Sequence, residues 1–376
     1  MEDTAMQLRS LIRPEGVLEL SLVDVPVPRP AADEVLVRME AAPINPSDIG
    51  LLLGPADLGT VETGGTADRP VLTARIAPKA MASIAGRVGV SLPVGIEGAG
   101  TVVAAGADER AQALTGRRVA APGGSAYSQY RCVRVDDLLV LPTDASAADG
   151  ASCFVNPLTA LGMVETMRRE GHRAIVHTAA ASNLGQMLNR ICLEDGIGLV
   201  NVVRREEQAA LLRDAGATHA CVSSDDAFAD ALDDAIAATG ATIGFDAIGG
   251  GTMAWQILSA MESAALRGQP STYSRYGSDV FKQVYLYGSL EPGPVTLRRN
   301  VGHAWSIGGW LLFPRLARFG VATTQRMKER VAAGLRTTFR SHYAQRIALA
   351  RMLDPGVLAD FSRRATGTKF LVEPNG

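Results

Sequence analysis

The sequence predicts an α/β protein of two domains, a β-rich, barrel-like first region followed by an inserted parallel sheet, on three observations. Its 376 residues exceed one ordinary domain and suit two, each long enough to bury a core. The first part alternates short apolar strands with glycine and proline turns. From about residue 150 the pattern becomes strand, helix, strand in units of about 30 residues, which implies parallel strands joined by right-handed crossovers. With 47% hydrophobic and 20% charged residues, the composition is that of a globular chain and not a disordered one.

In chain order, Val17–Val23 reads as a strand, Pro26, Pro28 and Pro30 as a turn, and Val35–Met39 as a second strand. Gly100–Ala105 and Arg118–Ala121 form a further strand pair, followed by Tyr127–Val135. Residues 54–93, rich in glycine, proline and alanine with weak periodicity, read as a long loop or insertion. In the second region Ala174–His177 is a short buried strand and Leu184–Leu193 a helix; Leu199–Val203 and Glu206–Asp214 repeat the unit. His219–Val222 and Ile243–Ile248 continue it, with helices near 226–238 and 252–266, and Tyr285–Gly288 as a late strand. After about residue 313 come a helix over Thr323–Phe339 and a final strand, Lys369–Val372. The expected domains are therefore 1–147 with 315–376, and 148–314.

Thirty-seven basic residues against 39 acidic ones give a net charge of −2, which removes the electrostatic argument for nucleic acid or an anionic membrane as partner. No apolar run reaches the roughly 18 residues of a bilayer span. Glu2, Asp3, Arg9, Arg13 and Glu15 interrupt any signal-peptide core, so the expected location is cytoplasmic. Cys132, Cys153, Cys192 and Cys221 stand far apart, with no C-x-x-C pair and no histidine at ligand spacing; buried thiols and no metal site are expected.

The first strand of the α/β region runs into Thr178-Ala179-Ala180-Ala181-Ser182-Asn183-Leu184-Gly185, which opens a helix. Small residues there let the backbone approach a pyrophosphate, and the helix start supplies oriented N–H donors. Only Gly185 stands where the G-x-G-x-x-G pattern wants a glycine, and Asn183 is expected to take a left-handed conformation in place of one. About 20 residues on, Leu199–Val203 ends in Arg204-Arg205, where an NAD site would carry a carboxylate. Two guanidinium groups suit a 2′-phosphate and so NADPH; the competing reading pairs them with Glu206 and Glu207. Ile248-Gly249 and the glycines after it would lie against the cofactor, or form a simple loop.

Glu34–Val37 leading into Ile44-Asn45-Pro46-Ser47-Asp48, Gly95-Ile96-Glu97-Gly98-Ala99-Gly100, Asn156-Pro157-Leu158-Thr159-Ala160, Asn201-Val202-Val203-Arg204 and Thr366-Gly367-Thr368-Lys369 follow one another in order. In this order and spacing the chain resembles the medium-chain dehydrogenase/reductase superfamily, in its zinc-independent quinone oxidoreductase and 2-enoyl reductase branch. The resemblance implies a GroES-like β-barrel catalytic domain, a Rossmann doubly wound parallel sheet, and a homodimer built by extending that sheet. In zinc alcohol dehydrogenases the turn around Ile96 holds a metal-binding histidine, and a cysteine stands near Asn45–Asp48. Here an aliphatic side chain and an amide occupy those places, so no zinc is expected.

The resemblance places Asn45 near nicotinamide and substrate, and Asn156 and Thr159 against the nicotinamide ribose or carboxamide. It puts Ala180, Ala181, Ser182, Asn183, Leu184 and Gly185 on the pyrophosphate, Arg204 on the 2′-phosphate, and Tyr276-Gly277-Ser278 and Gly308-Gly309-Trp310 beside the cofactor, the last three as backbone partners to the carboxamide. Plainer roles compete: Asn45 as a turn residue before proline, Thr159 as a helix cap, Trp310 as core. Residues 50–95 contain no tyrosine, where enoyl reductases of this branch carry a catalytic one, so a proton would come from water or from Tyr127 or Tyr130. The expected activity is hydride transfer from NADPH to an activated alkene or quinone as a small-molecule substrate. The alternatives are a zinc alcohol dehydrogenase-like enzyme and a non-catalytic, crystallin-like NADPH-binding protein.

Overall fold

The computed structural model describes residues 3–267, 274–363, 367 and 369–376; Thr366 and Thr368 of the C-terminal motif lie outside them. The chain divides into two compact units, Met1–Val155 with Arg330–Gly376, and Asn156–Glu329.

In the first unit β1 (Thr4–Arg13) and β2 (Val17–Pro26) form an antiparallel hairpin with Leu8 opposite Leu22. Alternation puts Leu8 and Ile12 of β1, and Leu18, Leu20 and Leu22 of β2, into the core. There follow β3 (Glu34–Pro43), α1 (Pro46–Leu53), β4 (Ala56–Gly65), β5 (Pro70–Ile76), α2 (Pro78–Met81), β6 (Leu92–Pro93) and β7 (Glu97–Ala105). Then come α3 (Glu109–Gln112), β8 (Arg118–Pro122), β9 (Tyr130–Arg134), β10 (Leu139–Val140) and α4 (Ala147–Gly150). One sheet has the order β4-β5-β2-β1-β6. Residues 54–93 are thus not a long loop. Most of β4 is exposed at the sheet edge and carries Gly59, Gly64 and Gly65, so it shows no apolar alternation, yet it pairs with β5 through a bulge between Asp57 and Glu62.

The second unit takes in most of α5 (Val155–Arg169), then β11 (Ala174–Thr178), α6 (Asn183–Asp195), β12 (Gly198–Val203), α7 (Glu206–Asp214) and β13 (His219–Val222). It continues with α8 (Phe228–Thr239), β14 (Ile243–Asp246), α9 (Met253–Arg267), β15 (Lys282–Leu286), β16 (Trp305–Gly309), α10 (Leu312–Phe319) and α11 (Val321–Ala333). The six strands are all parallel, in the order β13-β12-β11-β14-β15-β16. Every residue of β11 and β14 is buried, as a sheet covered on both faces requires. The order reverses between β11 and β14, and the carboxyl ends of those two strands are where such sheets bind ligands. The helix expected over Thr323–Phe339 is shorter: α11 stops before Gly334, whose carbonyl accepts the Phe339 N–H at 3.0 Å.

Returning to the first unit, β17 (Gln345–Ala348), α12 (Pro355–Ser362) and β18 (Phe370–Glu373) complete a second sheet, β10-β8-β7-β3-β18-β17, with β9 also paired to β3. No helix among the described residues is long and apolar enough to cross a membrane. The architecture is the expected α/β one: a unit of largely antiparallel sheets, and a doubly wound parallel sheet.

Candidate functional site

At the carboxyl end of β11 the chain turns through Ala179–Ser182 into α6. Ser182 caps the helix, its Oγ accepting the Gly185 N–H at 3.1 Å. Position 185 must be glycine, because a Cβ there would stand 2.2 Å from the Ala180 carbonyl oxygen. The left-handed residue is Ala179, at φ +51°, and not Asn183, which is the first residue of α6. With Ser182 already committed as cap, the reversal has to happen before it. Ala180 and Ala181 are fully buried and Leu184 nearly so, which brings bare backbone to the helix start, as a pyrophosphate needs.

Arg204 and Arg205 follow β12 and are exposed. Arg205 lies 3.9 Å from Glu207, while Glu206 is held by Arg213. The Arg204 guanidinium makes no ion pair among the described residues and is available to an anion. The Gln208 side chain accepts both backbone N–H groups, of Arg204 at 3.1 Å and Arg205 at 3.2 Å, fixing where this pair stands.

The ends of β14 and β15 are tied together by groups that local pattern does not reveal. Buried Asp246 accepts from Thr178 Oγ1 at 2.7 Å, Ile248 N–H at 2.9 Å and Gly249 N–H at 3.2 Å. Gly249, at φ +79°, comes so close to Gly288 that a Cβ would sit 2.2 Å from its carbonyl oxygen. His177 Nε2 lies 2.8 Å from the Tyr287 hydroxyl, the rings stacked with centroids 5.8 Å apart. Burial pushes His177 down to about 3, so it stays neutral.

Tyr276 corrects an expectation. It precedes β15, and the parallel sheet puts that loop at the amino edge, opposite the turn at 179–182. Tyr276 is 60% exposed there, under the Arg275 guanidinium. The sequence holds Tyr-Gly-Ser twice; the second copy, Tyr287-Gly288-Ser289, stands at the carboxyl edge beside Gly249. The apolar run Val284–Leu286 immediately before it was the signal that selects it.

Gly308 and Gly309 close β16. Gly308 carries no side chain where a Cβ would press on the Tyr285 ring at 3.2 Å, and Gly309 faces open space. The Trp310 backbone N–H is already donated to Leu286 O at 2.9 Å, so it is not free for a carboxamide. Its ring is buried, with Nε1 donating to Thr166 Oγ1 at 3.1 Å and Phe245 edge-on at 6.0 Å, as core. Asn156 and Thr159 share one face of α5, half-buried and buried respectively.

In the first unit, Asn45 precedes α1 in extended conformation with Pro46 at the first helical position. Asp48 reaches back, its carboxyl accepting the Asn45 N–H and the Ile96 N–H, each at 2.9 Å. Asn45 Nδ2 donates to Glu97 Oε1 at 2.8 Å, and Glu97 Oε2 accepts from Phe154 N–H at 3.0 Å and Val155 N–H at 2.9 Å. Asn45, Asp48 and Glu97 are each 1% exposed. Burial pushes Asp48 up to about 7, against its two N–H donors. Burial also raises Glu97, opposed first by Lys369. Tyr127 is no spare proton donor: it is fully buried, donates its hydroxyl to Pro43 O at 2.9 Å, and is held well above its ordinary range. Tyr130, on β9, is half-buried. Among the described residues no three His, Cys, Asp or Glu side chains gather as metal ligands would.

No known family profile matches the chain. The mitochondrial enoyl-[acyl-carrier-protein] reductase of Xenopus tropicalis is 34% identical over 213 residues, 54% of this chain and 52% of the relative. Acrylyl-CoA reductase AcuI of Ruegeria pomeroyi is 31% identical over 212 residues, 54% of each. The chain thus spans about half the length of the curated relatives it matches. Among solved structures, a Mesorhizobium loti protein provisionally identified as an NADPH:quinone reductase aligns with a TM-score of 0.72 at 24% identity, over 100% of this chain and 99% of its own. A mutant enoyl thioester reductase from Candida tropicalis gives 0.67 at 17%, over 98% and 99%. Mycobacterial Rv1454c, solved with NADPH, gives 0.67 at 19%, over 98% and 100%. These likenesses bear out the resemblance to the quinone oxidoreductase and enoyl reductase branch, and the chain has the fold those reductases share.

Proposed function

We propose that the protein is an NADPH-dependent reductase that transfers hydride, without zinc, to a small molecule bearing an activated C=C bond or a quinone. The observation that carries this reading is the pairing of a serine-capped, alanine-lined helix start at Ala180–Gly185 with an exposed Arg204, without an ion pair among the described residues, one strand away at the carboxyl edge of the parallel sheet. Those residues fit a dinucleotide: the turn for its pyrophosphate, Arg204 for its 2′-phosphate, Gly249 and Gly309 where backbone can approach, and Asn156 and Thr159 for the nicotinamide end. Such a cofactor, when bound, supplies the hydride. Ile96 and Asn45 stand where a zinc enzyme would carry ligands, so charge developing on the substrate oxygen would be held by hydrogen-bond donors. The enoyl reductase and acrylyl-CoA reductase relatives favour an enoyl thioester. A cytoplasmic location and a homodimer are part of the same proposal, the homodimer favoured by the position of β16 at the edge of the sheet.

The test is turnover with a panel of enoyl thioesters, enones and quinones. NADPH binding without oxidation across the panel would replace this reading with a binding protein. Arg204→Ala should raise KM for NADPH about 10- to 100-fold, the ~1.5–3 kcal/mol of charge-assisted hydrogen bonds, while leaving NADH nearly unchanged. Equal effects on both coenzymes would remove the phosphate assignment.

A further inference from the structure

Two polar atoms of opposite character are left over in the buried cluster around Asn45. Asn45 Oδ1, an acceptor, and Lys369 Nζ, a donor, are both shut off from solvent, and neither has a hydrogen-bond partner among the described residues. Lys369 enters β18, and its ammonium lies 6.0 Å from the Tyr343 ring centroid. An ammonium without acceptors is costly to bury, and burial pulls Lys369 down to about 8. The Ile44 N–H donates to Phe370 O at 3.1 Å as β18 pairs with β3, which sets Lys369 next to the Asn45–Asp48 turn; the carboxyls of Glu97 and Asp48 are the charges that act on it there.

Every contact to the Glu97 oxygens is a donor: Asn45 Nδ2, Phe154 N–H and Val155 N–H. Among the described residues no acceptor faces Oε2, whose two contacts are backbone N–H groups that cannot reverse, so the ionised form is the one this geometry satisfies. A carboxylate there admits only one orientation of the Asn45 amide, since the flipped group would set oxygen against oxygen.

We propose that Lys369 is a positioning residue: its buried ammonium is the counter-charge of Glu97, and the Glu97 carboxylate in turn fixes the Asn45 carboxamide with Nδ2 inward and Oδ1 unpartnered. This deepens the reductase reading and rests on it for the role of Asn45 in catalysis. Among the described residues the other ionisable groups that act on Glu97 or Lys369 are Asp48, Tyr127 and Tyr343. Tyr127 and Tyr343 are held neutral by burial, and Tyr343 donates its hydroxyl to Ser152 at 2.8 Å. Among the described residues that leaves Lys369 as the cation that balances the two carboxyls.

The full chain is compared with Lys369→Met, Glu97→Gln, the double variant and Lys369→Arg, from about pH 6 to about pH 9, by infrared spectroscopy and by NADPH-dependent reduction of an enoyl thioester. Removing the cation raises the Glu97 pKa. Lys369→Met should then show, beyond the band of Asp48, a second protonated-carboxyl band near neutral pH that Glu97→Gln abolishes. Its rate should fall about tenfold for each pKa unit gained and recover as pH rises. Glu97→Gln should lose rate equally at all pH values, the double variant should be no slower than Glu97→Gln alone, and Lys369→Arg should restore most of the rate. An unchanged infrared spectrum in Lys369→Met, a pH-independent loss, or a double variant carrying the product of both losses would overturn the proposal. Lys369→Gln replaces the Met variant if that chain does not fold. Should the wild type reduce none of the substrates, the reductase reading falls, while the infrared comparison still decides the link between Lys369 and Glu97.

Discussion

Each unit buries a lysine beside a glutamate, and the two pairs are finished differently. Lys282 in the second unit bonds Glu262 Oε2, Ser278 Oγ at 3.2 Å and Val280 O at 3.0 Å, one acceptor for each of its three N–H groups. Ser278 supplies two more donors to the same carboxylate, at 2.6 and 2.7 Å. Lys369 in the first unit has no acceptor among the described residues, and its carboxylate partners face backbone and Asn45 instead. A saturated pair holds the chain in place. An unsaturated one spends stability, and such expense is what functional sites show.

Removing each lysine is the sharpest way to break this comparison. Lys282→Met should cost ~3–5 kcal/mol, because it strands a buried carboxylate. Denaturant unfolding should read a loss that shrinks as pH falls, because the stranded Glu262 carboxyl, no longer held down by Lys282, takes up a proton more readily. Lys369→Met should cost less, since the cation it removes has no hydrogen bonds among the described residues; a larger loss there than at Lys282 would reverse the ranking.

Acid should separate the two units next. His177, held neutral with a pKa near 3, is protonated more readily unfolded. Its contribution is therefore present above about pH 6.5 and lost at up to ~1.4 kcal/mol per pH unit on acidification toward 3. Asp48 has the opposite sign. Raised to about 7, it binds its proton more tightly when folded, so stability falls as pH rises from about 4 to about 7. Unfolding free energies measured across this range should flatten in opposite senses for His177→Phe and Asp48→Asn. The smallest effect belongs to the turn: Ala179→Gly should gain about 1 kcal/mol by relieving its positive φ, with NADPH affinity unchanged within about twofold.

Where local chemistry decides, the sequence was readable. Helix Glu206–Asp214 was read with its observed ends, because acidic residues open it and apolar ones recur along one face. Strands β11 to β14 were read as apolar runs within a residue or two. The edge strand β4 was not, since half-exposed strands rich in glycine carry no period. Of the site, the turn, Arg204 and Asn45 were legible as motifs. Asp246 with Thr178, and Glu97 with Lys369, were not: their partners are brought by tertiary pairing from distant stretches of chain, and no spacing encodes that. Tyr276 was misplaced because a triplet says nothing about which edge of the sheet it occupies.

That exposed tyrosine has a practical use. The native thiols at Cys153, Cys192 and Cys221 are buried and Cys132 is partly so, with burial holding Cys132 and Cys221 up near 11. Tyr276→Cys would therefore create a single fast-reacting handle at the amino edge of the parallel sheet, opposite the turn at 179–182, where a fluorophore could report motions of the second unit without crowding that turn.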